Sequence, residues 1–216
     1  MENENYIIGN LKYKYRFFLT LDYFLKKIGI NFFKAFIYAK DLKDFVLEES
    51  NDNGFIIKEC NMDDLPKFGE LMDLFLSDMQ NGHILIAAFL DDQWVGYNWV
   101  SFKPVEVEEV ERSIHFNGAY TWRAYVKKEY RRRGIMKEIK FFIFDLIKNK
   151  YNKSKAYAIT ETSNKPNINA LESYGYLKVG KINYSRFFFW RKYEENIENN
   201  TVTLLYETED KIQIGK

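Results

Sequence analysis

The chain has 216 residues, and its 32 basic and 31 acidic side chains leave a formal net charge of +1. No global field therefore draws it to nucleic acid or an anionic membrane, and any anion site must be local. A single cysteine, Cys60, excludes an intramolecular disulfide and a multi-cysteine metal site and fits a reducing compartment.

This length suits one well-packed domain with an elaboration. The first five residues are acidic and polar where a secretory signal needs positive charge. No apolar run approaches the roughly 20 residues that span a bilayer; even the aromatic stretch from Phe17 to Tyr38 is broken by Asp22, Lys26, Lys27 and Lys34. The expectation is a cytoplasmic protein without stable membrane insertion. Residues 11–47 are dense in Phe and Tyr, and Phe17, Leu21, Phe24, Leu25 and Ile28 fall at helical spacing, with Gly29 separating two helices. Residues 1–50 are thus predicted to form an aromatic-rich helical arm packed on the main domain. A homodimer contact and a membrane-surface helix are the alternatives, because lysines alternate with the aromatics.

A polar run, Glu48 to Gly54, marks the boundary of a main domain over 54–210. Phe55 to Cys60 reads as a strand, with Cys60 a half-buried residue of it. Asn61 or Asp63 can cap a helix running through Leu65, Phe68, Leu71 and Met72. His83–Leu90 and Trp94–Phe102 are strands joined by the turn residues Asp91 and Asp92. Val105 to Glu111 alternates apolar and acidic residues, a ribbon with one wet face, and Ala119–Val126 is the next strand. Ile139, Phe142, Ile143, Leu146 and Ile147 then mark a helical stripe. Lys155–Thr160 is a strand, Asn164 caps a short helix that ends at Gly175, and strands near 177–191 and 201–207 close the sheet.

Between the strand ending at Val126 and the helix beginning at Ile135 lies Glu129-Tyr130-Arg131-Arg132-Arg133-Gly134-Ile135-Met136. The first N–H groups of a helix have no intrahelical partner, and the helix dipole adds positive charge where they point. Gly134 lets the backbone approach a ligand, and Arg131, Arg132 and Arg133 supply cations beside it. An isolated basic turn is usually a solvated loop; this one, between a strand and a helix, reads as a pyrophosphate site.

Arg131-Arg132-Arg133-Gly134-Ile135-Met136 resembles the Arg/Gln-x-x-Gly-x-Gly/Ala signature of the GNAT superfamily of acyl-coenzyme A dependent N-acetyltransferases, with Met136 in place of the last small residue. Asn164-Lys165-Pro166-Asn167-Ile168-Asn169-Ala170-Leu171-Glu172-Ser173-Tyr174-Gly175-Tyr176 is similar to the family's second block. The resemblance covers residues 55–190. It implies an α+β fold, a mixed, mostly antiparallel twisted sheet flanked by helices, here with the N-terminal arm added. It also implies acetyl-CoA as co-substrate and direct acetyl transfer to a primary amine on a small molecule or peptide. Carried over by position, Tyr125 and Val126 would pair with the pantetheine, residues 131–136 would bind the pyrophosphate, and Asn164 and Asn167 would meet the cofactor.

Two expected groups are missing. The family's catalytic tyrosine aligns with Leu171, so Tyr174, one turn later, is the substitute acid, although packing under the next strand is its ordinary role. The strand before the basic turn offers Thr121, Trp122, Arg123 and Tyr125 but no glutamate, which leaves Glu161, or Glu106, Glu108 or Glu109 of the ribbon, as substitute base. Met136 must turn away from the loop if the loop is to keep its width. A non-catalytic acyl-CoA-binding module, and a transferase using aminoacyl-tRNA or a carrier-bound donor, are the competing readings. His83 and His115 lack metal-ligand spacing, so no metal is expected.

Overall fold

The computed structural model describes Leu25, residues 28–47 and 54–197, and the backbone of 202–205. The strands are β1 (Ile30–Asp41), β2 (Ile56–Glu59), β3 (Ile84–Leu90), β4 (Gln93–Ser101), β5 (Val105–Val107), β6 (Arg112–Phe116), β7 (Ala119–Val126), β8 (Lys155–Glu161), β9 (Leu177–Phe187), β10 (Trp190–Ile197) and β11 (Val202–Leu205). The helices used below are α1 (Met72–Gln80), α2 (Ile135–Asp145), whose last turn widens into a π-helix over Leu146–Lys150, and α3 (Lys165–Ser173).

Eight strands form one sheet in the order β10-β9-β1-β8-β7-β4-β3-β2, and β11, β6 and β5 form a second, smaller one. Every pairing is antiparallel except β7 with β8. The expected β-α-β-β opening is present. Its helical part begins as a 3-10 segment over Met62–Leu71, capped by Asn61, and kinks at Gly69 before α1.

Alternate residues of each strand feed opposite faces, as the pleat requires. Ile86, Ala88, Val95, Ala119, Ala156 and Ala158 meet Ile135, Ile139, Ile143, Phe144 and Ile147 of the α2 region on one side. On the other, Phe75 of α1 packs with Leu85, Phe89 and Trp99, while Val105, Val107, Ile114 and Phe116 of the small sheet cover Ala35, Ile37, Tyr120 and Tyr157. The result is helices, sheet, and a mixed layer of α1 and the small sheet.

Two expectations are corrected. Ile30–Asp41 is not part of a helical arm but a strand inserted between β8 and β9, with Ile37 opposite both Ile159 and Gly180. Its burial from Asn31 to Ile37 has period two, with Asn31, Phe33, Ala35 and Ile37 buried and Phe32, Lys34 and Phe36 more exposed between them, so the aromatic density serves two faces of a pleat rather than one stripe of a helix. Gly29 leads into this strand at φ 84° instead of separating helices; its carbonyl accepts from Phe188 N–H at 2.7 Å, and a Cβ there would lie 3.2 Å from Phe188 Cα. Of the rest of the predicted arm, residues 1–24, 26, 27 and 48–50 lie outside the described residues. The last strand does not close the main sheet: β11 pairs with β6, Leu204 opposite Ile114.

Candidate active site

The sheet comes apart between its two parallel strands. β7 stays paired with β4 and β8 with β1, but β7 and β8 are joined only at Ala119–Ala156 and Tyr120–Tyr157. Beyond Tyr120 they diverge around a cavity of about 350 Å³. Its wall on the helix side holds Lys140, Asn164, Asn167 and Leu171; the opposite wall holds Phe33, Val105, Glu106, Val107 and Glu109, with Glu161 at the end of β8.

β7 is also irregular on its other side. Tyr97 faces Tyr125 and Trp99 faces Trp122, so Arg123 and Ala124 share Asn98 as their opposite number, a bulge with Arg123 at φ 48°. Asn98 fills the gap: its Nδ2 donates to the Trp122 carbonyl at 2.6 Å and the Trp99 carbonyl at 3.3 Å. Arg123 ion-pairs with Asp78 of α1, fixing the bulge to that helix. The edge of β7 from Thr121 to Val126 thus faces the cleft without a strand partner on β8, and such an edge pairs with the amides of an extended ligand.

At the end of β7 the basic turn has the form that anion binding needs. Arg132 at φ 65° and Gly134 at φ 80° alternate with neighbours of ordinary backbone sign, the kind of curl that turns successive N–H groups to one side. No side chain caps the N-terminus of α2, and a Cβ built on Gly134 meets nothing within 4 Å. There is therefore open space in front of unpaired donors, which fits a diphosphate. The arginines are not equivalent. Arg131 Nε donates to the Val126 carbonyl at 3.0 Å, with its guanidinium 5.8 Å from the centre of the Tyr125 ring, so it holds the strand end. Arg132 is exposed, and Arg133 is exposed over Tyr130. Ile135 is buried, and Met136 packs against the same core, away from the turn. Tyr125 is exposed and stacks on Tyr97.

Asn164 is the N-cap of α3, its Oδ1 accepting from Asn167 N–H at 3.3 Å. Asn167 Nδ2 donates to Thr160 Oγ1 at 2.9 Å, tying the helix to β8 where the cleft opens. Glu161 is exposed at the cleft and accepts from the Ser163 hydroxyl at 3.1 Å. Tyr174 is at the C-cap of α3, its ring half-buried against the main core; Leu171, not Tyr174, lines the cavity. The structure therefore brings Asn164, Asn167, Glu161 and the acidic ribbon together around the cavity, sets the basic turn beyond its lining at the end of β7, and leaves Tyr174 to one side. His83 is a structural residue, its Nδ1 3.0 Å from Ser101 Oγ. Among the described residues no cluster of three His, Cys, Asp or Glu could hold a metal, and no helix is long and apolar enough to cross a membrane.

Sequence reasoning missed the most unusual group in the cavity. Lys140 of α2 is 3% exposed and faces the sheet, its Nζ donating to Thr121 Oγ1 at 2.8 Å. Thr121 in turn donates to the Tyr157 carbonyl at 3.1 Å and lies 3.5 Å from the Tyr176 hydroxyl. Burial alone pushes the Lys140 ammonium down from 10.5 to about 7. The signal was present in the sequence: Met136, Lys140, Phe144 and Ile147 form a row of apolar positions at helical spacing with one lysine in it.

The sequence profile described as acetyltransferase (GNAT) family matches residues 45–176. Among curated proteins none matches this sequence. A solved structure from Novosphingobium aromaticivorans, described as a GNAT-family acetyltransferase, superposes with a TM-score of 0.51 at 15% identity over 73% of this chain and 65% of its own. A Staphylococcus epidermidis protein of unknown function gives 0.51 at 13% identity over 80% of this chain and 66% of its own. The glucosamine N-acetyltransferase region of a fungal multi-domain β-N-acetylglucosaminidase gives 0.55 at 15% identity over 78% of this chain and 22% of its own. This chain thus spans just under two thirds of the first two structures, and at such identities the likeness is one of fold. With the family profile matching more than half of the chain, and the splayed strands and glycine turn in place, the protein belongs to the GNAT family of acetyltransferases.

Proposed function

We propose that this protein transfers an acetyl group from acetyl-CoA directly to a primary amine on a cationic acceptor. The observation that carries this reading is a cleft lined by the free edge of β7, a strand that runs on into the glycine turn and the uncapped N-terminus of α2, and by the carboxylates Glu106, Glu109 and Glu161. The turn suits the donor's diphosphate, and the carboxylates attract an ammonium group.

Residues 132–136 would hold the diphosphate, the free edge of β7 the pantetheine amides, and Asn164 the mouth of the cleft beside them. Bound acetyl-CoA supplies an activated thioester. The contribution of the chain is then positioning and polarisation, with backbone donors near the Arg123 bulge facing the site where charge develops on the carbonyl oxygen. An amine with an ordinary pKa near ~10.4 must give up roughly 4–5 kcal/mol to be neutral at pH 7. Glu161, exposed at the cleft, is the group assigned to accept its proton, directly or through one water. Cys60 takes no part: it is 5% exposed, away from the cleft, and burial pushes its thiol up to about 12.

The test is coenzyme A release from acetyl-CoA with a set of amines including glucosamine, spermidine and a lysine peptide, beside neutral anilines. Turnover confined to the cationic amines supports the proposal. Tight coenzyme A binding with no turnover on any amine would replace it with the non-catalytic binding module.

A further inference from the structure

The transfer proposed above expels a thiolate, and a thiolate inside a cleft needs a proton. The tyrosine hydroxyl assigned to that task from the sequence, that of Tyr174, does not line the cavity, and the position on α3 that does is Leu171. The protein supplies a different donor. We propose that Lys140 is the general acid of this enzyme, handing a proton from Nζ to the departing sulfur of coenzyme A.

The geometry carries the assignment. Lys140 projects from the same helix whose N-terminus forms the basic turn, into the wall of the cavity between β7 and β8. Its one hydrogen bond to a side chain, to Thr121 Oγ1, points it at the strand along which the pantetheine would lie. Thr121 directs its own hydrogen to the Tyr157 carbonyl, so its oxygen is free to accept from the ammonium, and the bond fixes Nζ without consuming its other hydrogens. Among the described residues Lys140 makes no ion pair.

The titratable groups packed toward it are few. Tyr176, after α3, is buried, which pushes its own pKa up, and its ring lies 5.8 Å from Nζ. Tyr38 of β1, in the same core, donates to Glu172 of α3 at 2.9 Å and stays neutral. Glu106, Glu109 and Glu161 share the cavity from its acceptor end, but none contributes to the depression of Lys140, whose cause is burial. A lysine shifted to about 7 is a far better acid than an ordinary one, and transfer from it to a thiolate, whose conjugate acid sits near ~8.5, is downhill.

The protons balance. The neutral amine attacks the thioester carbonyl, the carbon–sulfur bond breaks with its electron pair going to sulfur, and Lys140 protonates that sulfur. The amide nitrogen loses its extra proton to Glu161 or water, and the neutral Lys140 recovers one from solvent when the thiol leaves.

This role rests on the acetyl-CoA reading but is tested apart from it. Coenzyme A is titrated calorimetrically into the wild type and into Lys140→Met and Lys140→Arg, and single-turnover acetyl transfer to the best amine is followed with pH. The wild-type rate should carry a limb that falls as Lys140 loses its proton near pH 7, and both variants, which hold no acid of that strength, should lack that limb. At neutral pH transfer should be about 100-fold slower in both, in the range of a lost general acid. Coenzyme A binding by all three proteins with one and the same pH profile of transfer would overturn the role of Lys140 and leave the acetyl-CoA reading standing. No binding by the wild type would overturn both. Mass spectrometry finding Lys140 itself acetylated by acetyl-CoA would overturn the acid role in favour of a nucleophile.

Discussion

A charge buried beside a threonine and a tyrosine should cost the fold dearly, and Lys140→Met measures how much. Methionine is close to lysine in length and apolar, so it fills the row between Met136 and Phe144 without a cavity. The ammonium is held at about 7 against 10.5 when unfolded. At about 1.4 kcal/mol for each tenfold, its charged form costs the fold on the order of 5 kcal/mol. The sign follows from proton counting. Between pH 7 and 10.5 the unfolded chain holds a proton that the folded chain lacks, so wild-type stability rises with pH through this window and the cost is complete below it. Between pH 6 and 8 this one group should make the wild type more stable by roughly 1.4 kcal/mol, and Lys140→Met should lack that increment. In a domain of this size that difference is about 3–6 °C in melting temperature. Thermal melts of both proteins at the two pH values give it as a difference of differences, in which the other titrating groups cancel. The mutant should also melt higher than the wild type at pH 6. Equal pH dependence, or a mutant that melts lower at pH 6, would refute a buried, unpaired Lys140. A gain in stability together with a loss of transfer is the trade expected of a strained catalytic group.

Gly134→Ala and Gly134→Trp share the cost of a side chain at φ 80°, about 1–2 kcal/mol. Only the indole fills the space in front of the turn, so coenzyme A affinity measured by calorimetry should be at least ~10-fold weaker in Gly134→Trp than in Gly134→Ala, each 1.4 kcal/mol being tenfold. Glu106→Gln combined with Glu109→Gln should raise KM for a cationic amine several-fold while leaving coenzyme A affinity unchanged, an effect that added salt should mimic. Asn98→Ala removes the donor that satisfies the Trp122 carbonyl at the bulge and should cost about 1–3 kcal/mol in urea denaturation. Cys60 should react with a thiol reagent only after unfolding, at a rate that at fixed pH rises with denaturant, because its thiol is both buried and raised to about 12.

Much of the proposed donor side could be read from the chain because its determinants are local. The basic turn, the glycine at its end, the Asn164 cap and the stripe of α2 each lie within a few residues of one another, and helix ends and turns are fixed by near neighbours. The acceptor side and the catalytic groups could not be read so directly. The aromatic spacing of β1 suits a helix as well as a strand, and its period-two burial exists only once β8 and β9, more than 110 residues away, lie on either side of it. Tyr174 and Leu171 lie one turn apart in sequence, and only the packing of α3 turns the candidate Tyr174 to the core and Leu171 to the cavity.

By itself, then, the sequence determined a strand, a basic glycine-bearing turn and a helix in that order, since backbone geometry and unpaired N–H groups are properties of a short segment. Only the tertiary structure decided that β7 and β8 part after Tyr120 and that Lys140 is sealed beneath them at Thr121. Burial is a property of everything that surrounds a residue, and for a lysine it is burial that separates an ordinary surface cation from a proton donor at neutral pH.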